Sequence, residues 1–249
     1  MTEVIEALAD RIRSADSVVA LTGAGISTPS GIPDFRTPGT GLWENVNPME
    51  VAHVDVLLND PAMFWAFYAE RFTTLQAVKP NPAHMALVEL EQRGLLDAVI
   101  TQNVDRLHFA AGTQELVELH GTIQTSRCMT CGTTVELDEV RELASGSGDG
   151  VPRCICGGMI RPGVVLFGEM LPQDALLKAS QLAAEADVIL CIGSSLEVHP
   201  AAGLPQVTKA GGGAIAIMTQ GPTPLDADAD FRLGGDVVVE LEQLVAALA

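Results

Sequence analysis

Five cysteines occur in the chain, four of them in two close pairs, Cys128-Met-Thr-Cys131 and Cys154-Ile-Cys156, with Cys191 alone. Four thiolates can close a tetrahedral zinc shell, and a closed shell leaves no coordination position open for catalysis, so the chemistry read here is a structural zinc site. The second pair has one intervening residue where two are usual. That makes a tighter chelate, and Gly157-Gly158 can supply the backbone freedom it needs. Unmetallated thiols or a disulfide are the other outcome for such a set. Cys191 lies in an apolar run and reads as a small core residue.

A second group of residues suits a bound nucleotide. Gly23-Ala24-Gly25 follows an apolar run, and glycines there let backbone N–H groups approach a pyrophosphate. The third glycine of an ordinary dinucleotide fingerprint would fall on Thr28, and no acidic residue stands on a second strand about 20 residues later. A tight turn without ligand fits Gly23-Ala24-Gly25 nearly as well. Gly31-Ile-Pro-Asp34-Phe35-Arg36 is a Gly/Pro-rich loop that displays an acid, a ring and a guanidinium, an arrangement costly to order unless something binds it. Gln102-Asn103-Val-Asp105 offers two amides and a carboxylate, which suit ribose hydroxyls or a carboxamide, although a capped turn explains them equally. His120 precedes Gly121; a lone histidine is more often structural, and His53, His84, His108 and His199 are read that way.

The elements that must position these groups alternate. Residues 4–13 read as a helix and 17–22 as a strand buried on both faces, followed by a long loop over 28–48. A helix over 60–76 is capped by Asp60 with Pro61 at its first position, and a helix over 82–93 ends at Gly94. Strands are expected at 97–102, 115–119, 164–167, 187–192, 214–218 and 237–240, with helices at 172–185 and 239–248. Residues 123–163 look inserted, with little periodicity and a Gly/Ser stretch over 145–150. Strands alternating with helices imply an α/β fold, a Rossmann-like parallel sheet covered on both faces. In such sheets ligands bind at the carboxyl ends of the strands, where the Gly23, Gln102, His120 and Gly193-Ser194 segments all fall.

The 249 residues allow one sizeable α/β domain or one domain with an insertion. With 14 basic and 32 acidic residues the net charge is −18, which repels phosphate backbones and attracts basic partners, so nucleic acid is not expected as a partner. No apolar run approaches the roughly 18 residues of a membrane span, so no membrane partner is expected. The first ten residues carry Glu3, Glu6 and Asp10 rather than a basic leader, and the expected location is cytoplasmic. Oligomeric state is left open, with a monomer allowed.

Taken in order, Thr22-Gly-Ala-Gly-Ile-Ser27, Gly31 to Arg36, Thr101 to Asp105, Leu119-His-Gly121, the cysteine pairs, Arg161-Pro162, Val165 to Glu169 and Gly193 to Val198 resemble the sirtuin (Sir2-like) family of NAD-dependent protein deacylases, prokaryotic type, over nearly the whole chain. The resemblance implies a Rossmann-like NAD-binding large domain (1–35, 90–122 and 164–249) and a small domain made of a helical module (36–89) and a zinc-binding module (123–163). It implies that Gly23, Ala24 and Gly25 face the pyrophosphate, that Asp34, Phe35 and Arg36 form the cofactor loop, and that Gln102 contacts the nicotinamide ribose. Asn103 and Asp105 would hold the nicotinamide pocket, with Gly193 and Ser194 further along the cofactor. Val165, Phe167, Gly168 and Glu169 on one side and Leu196 to Val198 on the other would clamp an extended acyl-lysine peptide by strand addition.

The chemistry so implied starts with attack of the acyl-lysine carbonyl oxygen on the ribose anomeric carbon and departure of nicotinamide. His120 then acts as general base for a ribose hydroxyl, giving lysine, nicotinamide and O-acyl-ADP-ribose. The zinc takes no part. The chain departs from the family at Thr219, where Asn commonly stands near the adenosine ribose, and in the short Cys154–Cys156 gap. Tyr68 and Arg71 are three apart on a predicted helix and so share a face. In the sirtuin branch that removes succinyl and malonyl groups such a pair binds the acyl carboxylate, a task suited to the planar guanidinium. That branch usually has Thr where Asp34 stands here, and pairing of Arg71 with Glu70 or Glu91 is the simpler alternative. Two rival functions remain: a mono-ADP-ribosyltransferase on the same scaffold, for which His120 would be superfluous, and a non-catalytic NAD-sensing adaptor.

Overall fold

The computed structural model describes residues 2–34, 39, 41 and 46–249. Six parallel strands form the main sheet: β1 (Val18–Thr22), β2 (Ala98–Thr101), β3 (Leu116–Glu118), β7 (Val188–Ile192), β8 (Ala214–Met218) and β9 (Phe231–Leu233), in the order β3-β2-β1-β7-β8-β9. β1 and β7 are buried at every position, as expected of strands covered on both faces. Their side chains alternate between two cores. Val18 and Ala20 meet α1 (Thr2–Arg13), α5 (Pro82–Gln92) and α10 (Val237–Ala247) through Leu8, Leu87 and Leu241. Val19 and Leu21 meet α8 (Gln173–Glu185) and α9 (Leu204–Ala210) through Ala179, Ala183 and Leu204.

A second sheet is antiparallel: β4 (Gly121–Cys128) lies between β5 (Thr134–Glu136) and β6 (Ile160–Val164). Its core is shared with α3 (Val54–Asn59), α4 (Pro61–Gln76) and α7 (Leu137–Gly146), where Phe64, Trp65 and Phe72 are almost fully buried. Asp60 caps α4 by accepting from the Met63 N–H, and Pro61 stands at the first position, both as predicted. Two short helices, α2 (Pro48–Val51) and α6 (Leu107–Ala111), complete the set.

Three expectations are corrected. The strand expected at 164–167 belongs to neither face of the parallel sheet: β6 pairs with β4, and Phe167 forms an isolated bridge with His53. The segment 123–163 holds β5 and α7 together with most of β4 and β6, and α7 runs through Ser145-Gly146. The β-branched run Val237 to Val239 is helical, with the last strand at 231–233. Asp236 accepts from the Val238 and Val239 N–H groups, and this cap, with burial of Leu241 and Leu244 against the sheet, overrides the strand preference of valine.

Candidate active site

β1, β2 and β7 run in register, so that Thr22, Thr101 and Ile192 end side by side. The chain passes from β1 to β2 on one flank and reaches β7 on the other, which makes the gap between β1 and β7 a topological switch point, where open α/β sheets bind ligands. Here the two glycine segments meet backbone to backbone. Gly25 N–H donates to the Gly193 carbonyl at 2.8 Å. A Cβ on Gly23 would lie 2.8 Å from the Gly193 oxygen, and one on Gly25 2.7 Å from the Gly193 Cα. Gly193 has φ +61°, and its Cβ would lie 2.3 Å from the Ile26 nitrogen. These glycines are therefore demanded by the contact between the loops, before any ligand is considered. After Gly23 the chain forms a 3-10 turn, Ala24–Ser30, that carries Ser27 inward.

The strand-end polar groups converge. Asn103 Nδ2 donates to the Gly23 carbonyl at 3.0 Å and reaches Ser27 Oγ at 3.3 Å. Ser27 Oγ donates to Asp105 Oδ2 at 2.7 Å, while Asp105 Oδ1 accepts from the Leu107 N–H at 2.9 Å. Burial raises the Asp105 carboxyl above its ordinary range, and the Leu107 and Ser27 donors pull it back. Gln102 Nε2 donates to Ser194 Oγ at 2.9 Å, which ties β2 to the β7 end. Ser27 was not picked out as a site residue from the sequence, although it stands in the same motif as Gly23 and Gly25. Only the tight 3-10 turn aims it at Asp105.

His120 follows β3. Its Nδ1 lies 2.8 Å from the Gln102 carbonyl, which can only accept, so Nδ1 carries the proton and Nε2 is left bare. Burial lowers the basicity of this ring, opposed by the Gln102 hydrogen bond. The result is a neutral imidazole with a fixed basic nitrogen, the form a general base requires.

The 164–169 segment closes one side. Val165 N–H donates to the His120 carbonyl at 2.8 Å, and Phe167 exchanges hydrogen bonds with Ala52 and Val54. Gly168 is forced by φ +87°, and a Cβ there would lie 2.5 Å from His53 Nε2. The Glu169 carboxylate is consumed by Arg161, at 2.6 and 2.8 Å, and by the Leu166 N–H at 2.9 Å. On the other side Leu196 is 2% exposed and packs in the core, with Val198 half-buried beyond it. The Leu196 side chain is buried, so this residue can offer a peptide only backbone. Asp34 is half-buried, and Phe35 and Arg36 lie outside the described residues.

Tyr68 and Arg71 do share a face of α4. Tyr68 is buried, stacked on Phe64 at 4.4 Å between ring centroids and edge-on to Phe67 and Phe72. Burial raises the Tyr68 phenol and lowers Arg71, each moderated by the other. The Arg71 guanidinium stands 5.8 Å from the Phe67 ring centroid. The suggested Glu91 partner is occupied elsewhere, by the Gln114 and Glu115 N–H groups.

At the far end of the small sheet the four cysteine sulfurs lie within 4.8 Å of one another, with Cys128–Cys156 at 3.5 Å and Cys131–Cys154 at 3.7 Å. Zn–S bonds of about 2.3 Å in a tetrahedron place sulfurs roughly 3.8 Å apart, so donor set and spacing fit zinc. The short Cys154–Cys156 gap is taken up by Gly157 at φ +83°, and a Cβ on Gly158 would strike Thr130 Oγ1 at 2.4 Å.

The Sir2 family model matches residues 23–200. An NAD-dependent protein deacetylase of Saccharolobus solfataricus is 43% identical over 242 residues, covering 97% of this chain and 96% of that protein. One of Haloarcula marismortui is 45% identical over 252 residues, covering 99% and 95%. Among solved structures, a Sir2 variant with deacetylated p53 peptide and 3'-O-acetyl ADP ribose matches with TM-score 0.93 at 40% identity, covering 97% of each chain. A Sir2–p53 peptide–NAD⁺ complex matches with TM-score 0.89 at 39% identity, covering 97% of each. The chain belongs to the Sir2 family.

Proposed function

We propose that this protein is an NAD-dependent protein-lysine deacetylase, with His120 as its general base and the β1–β2–β7 strand ends as its NAD⁺ site. The observation that carries the reading is the His120 tautomer: the Gln102 carbonyl holds the proton on Nδ1 and leaves Nε2 to take one from a hydroxyl. NAD⁺ would supply the ADP-ribosyl group that ends up carrying the acyl group, with nicotinamide as leaving group. Gly23, Ala24 and Gly25, with Gly193 and Ser194, line the pyrophosphate side. Gln102 faces the nicotinamide ribose, and Asn103 and Asp105 with Ser27 shape the nicotinamide pocket. Asp34, Phe35 and Arg36 contribute to cofactor binding. The Val165–Glu169 and Leu196–Val198 segments offer backbone to an acylated peptide, and the oriented base favours deacylation over simple ADP-ribosyl transfer. In this reading Cys128, Cys131, Cys154 and Cys156 hold a structural zinc. α3 and α4 pack with the small sheet as the smaller domain, while α5 covers the large one.

The acyl preference follows from α4. A buried phenol beside a part-buried guanidinium suits an acyl chain that ends in a carboxylate, so succinyl- and malonyl-lysine join acetyl-lysine as substrates. The test is mass spectrometry of one lysine peptide in acetyl, succinyl and unmodified forms with NAD⁺, using wild type and His120→Ala. Loss of the acyl group with O-acyl-ADP-ribose formed by wild type alone supports deacylation. ADP-ribose on protein without acyl loss overturns it. No described helix is long and apolar enough to cross a membrane.

A further inference from the structure

Two buried histidines lie beneath the site, each with one ring nitrogen in a hydrogen bond. His84, on α5, has its Nδ1 3.4 Å from the Asn81 N–H, which can only donate, so Nδ1 is bare and Nε2 carries the proton. His108, on α6, has its Nε2 2.9 Å from Thr22 Oγ1. The Thr22 hydroxyl donates to Thr101 Oγ1 at 2.8 Å, and Thr101 Oγ1 also accepts the Asn103 N–H at 3.0 Å. With the Thr22 proton directed to Thr101, Thr22 would accept from His108, which would then be protonated on Nε2 and bare on Nδ1.

This leaves one donor, His84 Nε2–H, and one acceptor, His108 Nδ1, both buried and neither with a partner among the described residues. The rings are 4.9 Å apart between centroids and tilted by 58°. An orphan donor and an orphan acceptor on adjacent rings can satisfy each other once the rings turn to face. Left apart, each atom would carry the desolvation penalty of an unpaired polar group. Burial pushes His84 down to about 4, and burial together with His84 pushes His108 down to about 3, so both rings are neutral at physiological pH, as the pairing requires.

The two ends of this pair hold different parts of the site. Asn81 Nδ2 donates to the Ile26 carbonyl and to Ser30 Oγ, both on the 3-10 turn that carries Ser27. Thr22 and Thr101 end the strands that carry Gly23 and Asn103. We infer that His84 and His108 form one continuous hydrogen-bonded link, Asn81 to His84 to His108 to Thr22 to Thr101, which acts as a positioning element fixing the Ser27 turn relative to Gly23 and Asn103. The functional part of this inference rests on the reading of the cleft as an NAD⁺ site; the tautomers do not.

Long-range ¹H–¹⁵N spectra of the wild-type protein at pH 7 test the link directly. Both rings are expected neutral and protonated on Nε2, with a through-hydrogen-bond coupling from His84 Nε2 to His108 Nδ1. A charged ring, an Nδ1–H tautomer at His108 or absence of the coupling overturns it. Calorimetric NAD⁺ binding tests the positioning role. His84→Leu and His108→Leu are each expected to weaken NAD⁺ binding about tenfold, and the double variant no more than either alone, because the link is already broken. Additive losses overturn the role. If the variants do not fold, the wild-type spectra decide. A wild-type protein with these tautomers that binds NAD⁺ yet deacylates no peptide would refute the functional reading and leave the link standing.

Discussion

The His120 ring is locked by the Gln102 carbonyl 2.8 Å from its Nδ1, so a residue of β2's end sets the protonation state of a residue after β3. Burial lowers the ring's basicity, so the neutral form persists to lower pH than for free imidazole at 6.5. The acidic limb of kcat/KM for deacetylation is therefore expected below pH 6.5, with activity present above the folded value and lost as pH falls through it. His120→Ala should lose about 10²–10⁴-fold in rate. A limb at or above the free value would refute the assignment of burial as the dominant influence.

Arg71→Met should separate the acyl groups. Removing a charge-assisted hydrogen bond to a succinyl carboxylate costs about 1.5–3 kcal/mol, roughly 10- to 100-fold in succinyl kcat/KM. The acetyl rate should change by less than about threefold, since an acetyl group presents no carboxylate. Parallel rate measurements on both peptides check this, and equal loss on both sinks the acidic-acyl proposal.

Gly193→Ala tests the loop contact. A side chain at φ +61° with a Cβ 2.3 Å from the Ile26 nitrogen needs backbone movement, expected to cost about 2 kcal/mol or more of stability. Urea unfolding should show the midpoint fall, together with weaker NAD⁺ binding. An unchanged midpoint would mean the two glycine loops are not held in contact.

The cysteine cluster should bind one zinc per chain, read by elemental analysis, and Cys154→Ser should abolish it. Because one cysteine pair begins at the end of β4 and the other precedes β6, metal removal with a strong chelator should lower the melting temperature and melt the small sheet, with its buried Ile160 and Val135. Deacetylation should vanish with the fold. An apoprotein that keeps both its melting temperature and its activity would refute the structural role.

Much of the site was legible because local chemistry repeats in sequence. Buried strands read as apolar runs, Asp60-Pro61 announces a helix start, and two cysteine pairs announce a metal. Where tertiary contacts outweigh intrinsic preference, local pattern misleads: Val237 to Val239 have the composition of a strand and are helical, and the apolar 164–167 run does not join the parallel sheet.

By itself the sequence determined the fold class, the strand-end position of the polar groups, the metal donors and the family. Only the tertiary structure decided what touches what: Ser27 on Asp105 across 78 residues, Gln102 on Ser194 across 92, and His108 on Thr22 across 86. The spacing of residues along a chain encodes helical and strand periods and turn chemistry, which are local. The proton on His120 and the pairing of His84 with His108 depend on which carbonyls and hydroxyls the sheet order brings within hydrogen-bond distance, and no local pattern carries that.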